Sequence, residues 1–134
     1  HVGMDELLSQ SDFVSIHVDL NPTTQHMFST EQFKKMKNSS VIINAARGPV
    51  IDQMALYEAL KNQEIAGAGL DVTDPEPIPN DHPLLSLDNC LIVPHIASAT
   101  VETRRAMSNL AAANLINGLK GVSLTTCVNS EVNN

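Results

Sequence analysis

The chain has 134 residues, 43% of them hydrophobic and 17% charged, enough to build one packed domain and too apolar for a disordered segment. A net charge of −7 and only 3% aromatic residues, with no Trp, argue against nucleic acid, anionic membranes and base-stacking platforms as partners. The two cysteines, Cys90 and Cys127, form no Cys-x-x-Cys pair and are too few for a disulfide scaffold, which fits a reducing, cytoplasmic setting.

Met4, Leu7 and Leu8 recur at helical spacing, and Asp12–Val18 then reads as a strand. Asn21-Pro22-Thr23-Thr24 is a turn. Ser29 with Gln32 three residues on forms a capping box that opens a short helix, with Phe33 and Met36 directed inward. Val41–Ala46 is a continuous apolar run of the kind buried on both faces of a parallel sheet, and Arg47-Gly48-Pro49 ends it. Asp52 can cap the next helix, whose Leu56, Ala59 and Leu60 share a face. Ile65–Val72 is a strand of small residues, which suits close packing or a nearby ligand. A long connection, Thr73 to Asn89, carries four prolines, and loops of this length are commonly functional. Cys90–Val93 is a further strand. Thr100 caps a longer helix, Gly121 ends it, and Met107, Leu110, Ala111, Asn114, Leu115 and Leu119 are its expected buried stripe. The tail from Val122 carries no clear element.

This alternation predicts βαβ units in a doubly wound parallel sheet. Ligands of such sheets bind beyond the carboxyl ends of the strands, so the residues just after each strand are the candidates for chemistry. Arg47 offers a bidentate guanidinium suited to a carboxylate, or simply pairs with a surface acid. Asp71 is a ligand contact or a turn residue. Glu76, between Pro75 and Pro77, is a held carboxylate or part of a solvated acidic loop. His95 is an acid–base candidate or a structural histidine, and His17 reads mainly as structural. His82 anchors its loop, and no Cys/His cluster or His-Glu-x-x-His motif offers a metal site.

The segments Asn44-Ala45-Ala46-Arg47-Gly48-Pro49-Val50-Ile51-Asp52, Ala66-Gly67-Ala68-Gly69-Leu70-Asp71-Val72 and Pro94-His95-Ile96-Ala97-Ser98-Ala99-Thr100 resemble the NAD-binding-domain signature of D-isomer-specific 2-hydroxyacid dehydrogenases. Asp74-Pro75-Glu76-Pro77 with His82-Pro83-Leu84-Leu85 resembles the acidic loop of that family, and the resemblance covers nearly the whole chain. Within the family the likeness is strongest to the glyoxylate/hydroxypyruvate reductases.

The resemblance implies an oxidoreductase that reduces a small 2-oxo acid with NADH or NADPH. It implies that Arg47 binds the substrate's carboxylate and carbonyl, that His95 donates the proton, and that Glu76 pairs with His95 and favours its protonated ring. Asp71 then lies beside the nicotinamide. His17 and the turn after it with Val18 and Thr24, the backbone at Ala45 and Ala46, Arg47, His95, Ala97 and Ser98 contact cofactor or substrate. Asp19 stands where the family commonly carries Pro, and an acid there weighs against a cofactor 2′-phosphate.

No Gly-x-Gly-x-x-Gly phosphate loop occurs in this sequence. The resemblance therefore implies the second half of a Rossmann-like domain over residues 1–99, a connecting helix over 100–121 that returns to a substrate domain, and a tail over 122–134. The chain alone is expected to bind dinucleotide poorly and to turn over no substrate. The full-length protein is expected to be a homodimer that binds neither nucleic acid nor membrane. The alternative is an NAD(H)-binding corepressor of the same fold that recruits peptide partners.

Overall fold

Four short aliphatic runs become strands in the computed structural model, which describes residues 1–133. They are β1 (Phe13–Ile16), β2 (Val41–Asn44), β3 (Gly67–Leu70) and β4 (Cys90–Ile92). The sheet order is β1-β2-β3-β4 and every pair is parallel, with Ile16 opposite Asn44, Asn44 opposite Leu70 and Leu70 opposite Ile92. Parallel neighbours cannot be joined by a hairpin, so each pair needs a crossover. The helix α1 (Met4–Gln10) precedes β1. The crossovers are α2 (Thr30–Phe33), α3 (Gln53–Lys61) and the long Pro-rich connection, which contains a 3-10 turn at Pro83–Ser86. This is the α/β, Rossmann-like arrangement that the sequence pattern predicts.

Local signals set the helix starts. The Ser29 N–H donates to Gln32 Oε1 at 3.1 Å, one half of a capping box. Asp52 Oδ1 accepts from the Met54 and Ala55 N–H groups, both at 3.1 Å, and opens α3. The helices bury one stripe each. Leu8 of α1, Phe33 of α2 and Leu56 and Leu60 of α3 meet Ile42 of β2 in the core.

Two expectations fail for the same reason, a missing cover. β2 is not buried on both faces. Ile42 and Asn44 are buried, whereas Val41 and Ile43 on the other face are only half-buried. On that second face Phe13 of β1 and Leu91 of β4 are 72% and 68% exposed, because the core gathers on one side of the sheet only.

The second failure lies in α4 (Val101–Leu119), where no residue is buried, contrary to the expected stripe of Met107, Leu110, Ala111, Asn114, Leu115 and Leu119. Its contacts with the segment after it are polar instead. Asn114 Nδ2 donates to Thr126 Oγ1 at 2.8 Å and Asn117 Nδ2 to the Ser123 carbonyl at 3.2 Å.

The ends of α4 are as expected. Thr100 Oγ1 accepts from the Thr103 N–H at 3.1 Å. Gly121, at φ +64°, closes the helix with its N–H on the Gly118 carbonyl and the Val122 N–H on that of Asn117.

The chain divides into two compact units, His1–Ile96 and Ala97–Asn134, against expected divisions at 99 and 121. In the tail, a 3-10 turn spans Ser130–Asn133. No helix among the described residues is long and apolar enough to cross a membrane.

Cys90 carries a free thiol, and burial pushes it from its ordinary 9.0 up to about 11. The folded state therefore holds this proton longer than the unfolded chain does. The associated stability is complete below pH 9.0 and is lost as pH rises towards about 11. Iodoacetamide at pH 8, followed by peptide mass spectrometry, is expected to leave Cys90 largely unmodified until denaturant unfolds the protein.

Candidate active site

Four parallel strands bring their carboxyl ends to one edge, and the loops that leave this edge line two cavities. The first, of about 470 Å³, has mainly apolar walls such as Ile78, Leu85 and Ile92, with Asp71, Glu76 and His95 as its charged or titratable groups. The second, of about 450 Å³, is lined by His17–Leu20 after β1 and Ala45–Arg47 after β2.

In the first cavity His95 Nδ1 and Glu76 Oε1 lie 2.7 Å apart, a charge-assisted distance for a carboxylate accepting from a ring N–H. Both side chains are nearly half exposed, so the pair stands at the mouth, open to a ligand. With Nδ1 turned to Glu76, Nε2 is the nitrogen that can meet a substrate oxygen.

Asp71 sets the backbone beneath this pair. It is buried, its N–H donates to the Asn44 carbonyl at 2.9 Å, and its own carbonyl accepts from the His95 N–H at 3.0 Å. Its carboxylate Oδ1 accepts from the Ile96 N–H at 2.6 Å. His95 itself sits in the left-handed region at φ +52°.

In the second cavity Asn44 shapes the turn that carries Arg47. It is 1% exposed at the end of β2, where its Oδ1 accepts from the Ala46 N–H and its Nδ2 donates to the Arg47 carbonyl, both at 3.0 Å. Arg47 is exposed and spends one contact, Nη1 to the Ala46 carbonyl at 2.7 Å, on its own turn. The other N–H groups of the fork suit a carboxylate.

His17 Nε2 lies 2.7 Å from Ser15 Oγ. Thr24 lines neither cavity. It is buried, with Oγ1 donating to the Asp19 carbonyl at 2.7 Å and accepting from the Asn21 N–H at 2.9 Å, so it braces the turn after β1. Ala97 and Ser98 begin the second unit. Among the described residues no cluster of His, Cys, Asp or Glu could hold a metal ion.

Two residues have positioning roles that only the tertiary contacts reveal. The first is Gly48, directly after Arg47. A Cβ there would stand 2.0 Å from the Thr73 carbonyl oxygen, so only glycine lets the loop after β2 lie against the loop after β3. The second is Gln53, a polar residue at the start of an amphipathic helix, which is buried and hydrogen-bonds the backbone of Asp74. Its burial depends on the path of a loop twenty residues away, which no local pattern encodes.

The edge suits a dinucleotide in kind. Its polar groups converge on concave walls at the carboxyl ends of parallel strands, the usual place for one. His17, Val18, Ala45 and Ala46 would hold it along the second cavity, and Asp71 and His95 along the first.

Residues 1–97 match the family model described as D-isomer specific 2-hydroxyacid dehydrogenase, NAD binding domain. The chain is 53% identical over 129 residues to a glyoxylate reductase of Thermofilum pendens, covering 96% of this chain and 38% of that protein. It is 52% identical over 120 residues to the glyoxylate reductase/hydroxypyruvate reductase of Homo sapiens, covering 90% of this chain and 37% of that protein. Among solved structures, D-lactate dehydrogenase with NAD+ from Lactobacillus jensenii superposes with a TM-score of 0.88 at 34% identity, over 95% of this chain and 42% of that one. The chain thus spans about 40% of the length of the relatives it matches.

The contact at Gly48 makes its own forecast. Gly48→Ala is expected to lower stability by about 1–3 kcal/mol, as overpacking does, read as a lower denaturant midpoint of the full-length protein.

Proposed function

The chain belongs to the D-isomer-specific 2-hydroxyacid dehydrogenase family, and residues 1–97 fall within that family's NAD-binding domain. We propose that the protein carrying it reduces a small 2-oxo acid of the glyoxylate or hydroxypyruvate type to the 2-hydroxy acid, with NADH or NADPH. The observation that carries this reading is the His95–Glu76 pair at 2.7 Å, at the mouth of a cavity at the carboxyl ends of the strands, where parallel α/β sheets bind ligands. The names of the relatives at 50–53% identity indicate the substrate class.

The bound nicotinamide supplies the hydride. The chain's own residues do the rest. Reduction builds negative charge on the carbonyl oxygen, and a proton donor and a cation must meet it. His95 donates from Nε2 while Glu76 accepts from Nδ1–H and fixes the direction of the ring. Arg47 binds the carboxylate of the substrate and fixes its orientation, which makes the transfer effectively intramolecular. The long-range field of a chain with net charge −7 opposes an anionic substrate, so a local cation at the site is needed. Asp71 holds the backbone of residues 95 and 96 and so the direction of the imidazole. In the same reading the full-length protein is a cytoplasmic homodimer that binds neither nucleic acid nor membrane.

The test follows absorbance of NADH and NADPH with glyoxylate, hydroxypyruvate and pyruvate, using the full-length protein. Wild type is expected to turn over. His95→Ala is expected to lose about 10²–10⁴-fold in kcat, the usual contribution of a positioned acid. Wild-type protein that binds NADH but reduces none of these acids would overturn the proposal in favour of a peptide-recruiting corepressor.

Glu76→Gln keeps an acceptor and removes the charge. The ring then loses the charged acceptor that orients it, and kcat is expected to fall by on the order of 10- to 100-fold with a smaller change in KM. An unchanged kcat would refute the pairing.

A further inference from the structure

The two halves of the site lie on different loops and line different cavities. Arg47 stands on the connection between β2 and α3, and Glu76 on the connection between β3 and β4. Something must hold these two loops in register if one substrate is to meet both. Backbone contact supplies part of the answer, since Gly48 lies against Thr73 closely enough to exclude any side chain.

A second tie is a side chain. Gln53, at the first turn of α3, is 8% exposed. Its Oε1 accepts from the Asp74 N–H at 3.0 Å, and its Nε2 donates to the Asp74 carbonyl. One amide thus engages both backbone groups of one residue, in the manner of a neighbouring strand. Thr73 Oγ1 donates to the Pro75 carbonyl at 2.9 Å and closes the next step of the loop. Glu76 follows, two residues beyond Asp74, with its carboxylate on His95. The path from Gln53 to the imidazole is therefore short and made of hydrogen bonds and consecutive backbone.

We propose that Gln53 is a positioning residue for the reaction: it clamps Asp74 so that Glu76 reaches His95 Nδ1 and the loop bearing Glu76 stays in register with the loop bearing Arg47. The inference rests on the reduction proposed above. Gln53 touches no reacting atom and acts only through Glu76 and His95. Its signature is consequently the signature of a displaced Glu76, and differs from that of a merely loosened core.

The experiment uses the full-length protein and compares Gln53→Met, Gln53→Glu, Glu76→Gln and the double variant Gln53→Met with Glu76→Gln. Gln53→Met keeps the length of the side chain and removes both hydrogen bonds. Gln53→Glu keeps the acceptor for the Asp74 N–H and removes the donor. Each single Gln53 variant is expected to lower kcat by on the order of 10- to 100-fold, the scale of a small misplacement of a catalytic group, with a smaller change in KM.

The double variant is expected to be little slower than Glu76→Gln alone, because residues acting through one group are not additive. A folded Gln53 variant with wild-type kcat and KM would overturn the proposal. So would a double variant whose losses simply multiply. A wild-type protein that reduces no 2-oxo acid would instead overturn the reduction itself, which separates the two failures.

Discussion

Sequential parallel pairing is the constraint from which the site follows. When β1 to β4 lie side by side in chain order and all point one way, every connection must leave from one edge and return to the other. The residues after each strand are then neighbours in space although tens of residues apart in the chain. Asp71 shows how closely: its N–H is bonded to Asn44 at the end of β2, its carbonyl to the His95 N–H and its carboxylate to the Ile96 N–H after β4. Three strand ends are joined through one residue. A chain of local preferences thereby becomes a site, without any loop having to fold back on itself.

The loops at this edge are held mainly by side chains bonded to backbone. Asn44 fixes the turn of Arg47, Thr24 fixes the turn after His17, and His82 Nδ1 accepts from the Leu84 N–H at 3.3 Å and starts the 3-10 turn of the long connection. Each satisfies a backbone group that no longer has a strand partner, as buried or half-buried polar groups require. This also explains why the strands are shorter than the apolar runs that announce them. Val41–Ala46 reads as six strand residues, but the ladder stops at Asn44 because the Ala46 N–H finds the Asn44 side chain instead.

Much of this was legible in the residues. Apolar runs locate the four strands, the Asp52 cap and the Thr100 cap both start their helices, and the residues after the strands include Asp71, Glu76 and His95, which line one cavity. What could not be read is what depends on partners distant in sequence. The apolar stripe of α4 gives a period but not a covering surface, and no residue of the helix is buried. The second face of β2 looked as apolar as the first, yet the core gathers on one side. Gln53 is an ordinary helix residue until the path of residues 73–76 is known. Gly48 is an ordinary turn glycine until Thr73 lies upon it. Motif resemblance pointed to the chemistry, and tertiary packing supplied the alignment of the parts.

His95 occupies a left-handed backbone conformation that suits glycine or asparagine better than histidine, at a cost of roughly 1–2 kcal/mol. The fold maintains it because the Asp71 carbonyl and carboxylate bind the N–H groups on either side of that bend. The residue proposed as proton donor is thus held in a costly conformation. Selection for robustness alone would drift towards glycine at position 95 and gain folding free energy while losing the imidazole. A thermostabilised variant found without an activity screen should be checked first at this position, where stability and function draw on the same dihedral angle.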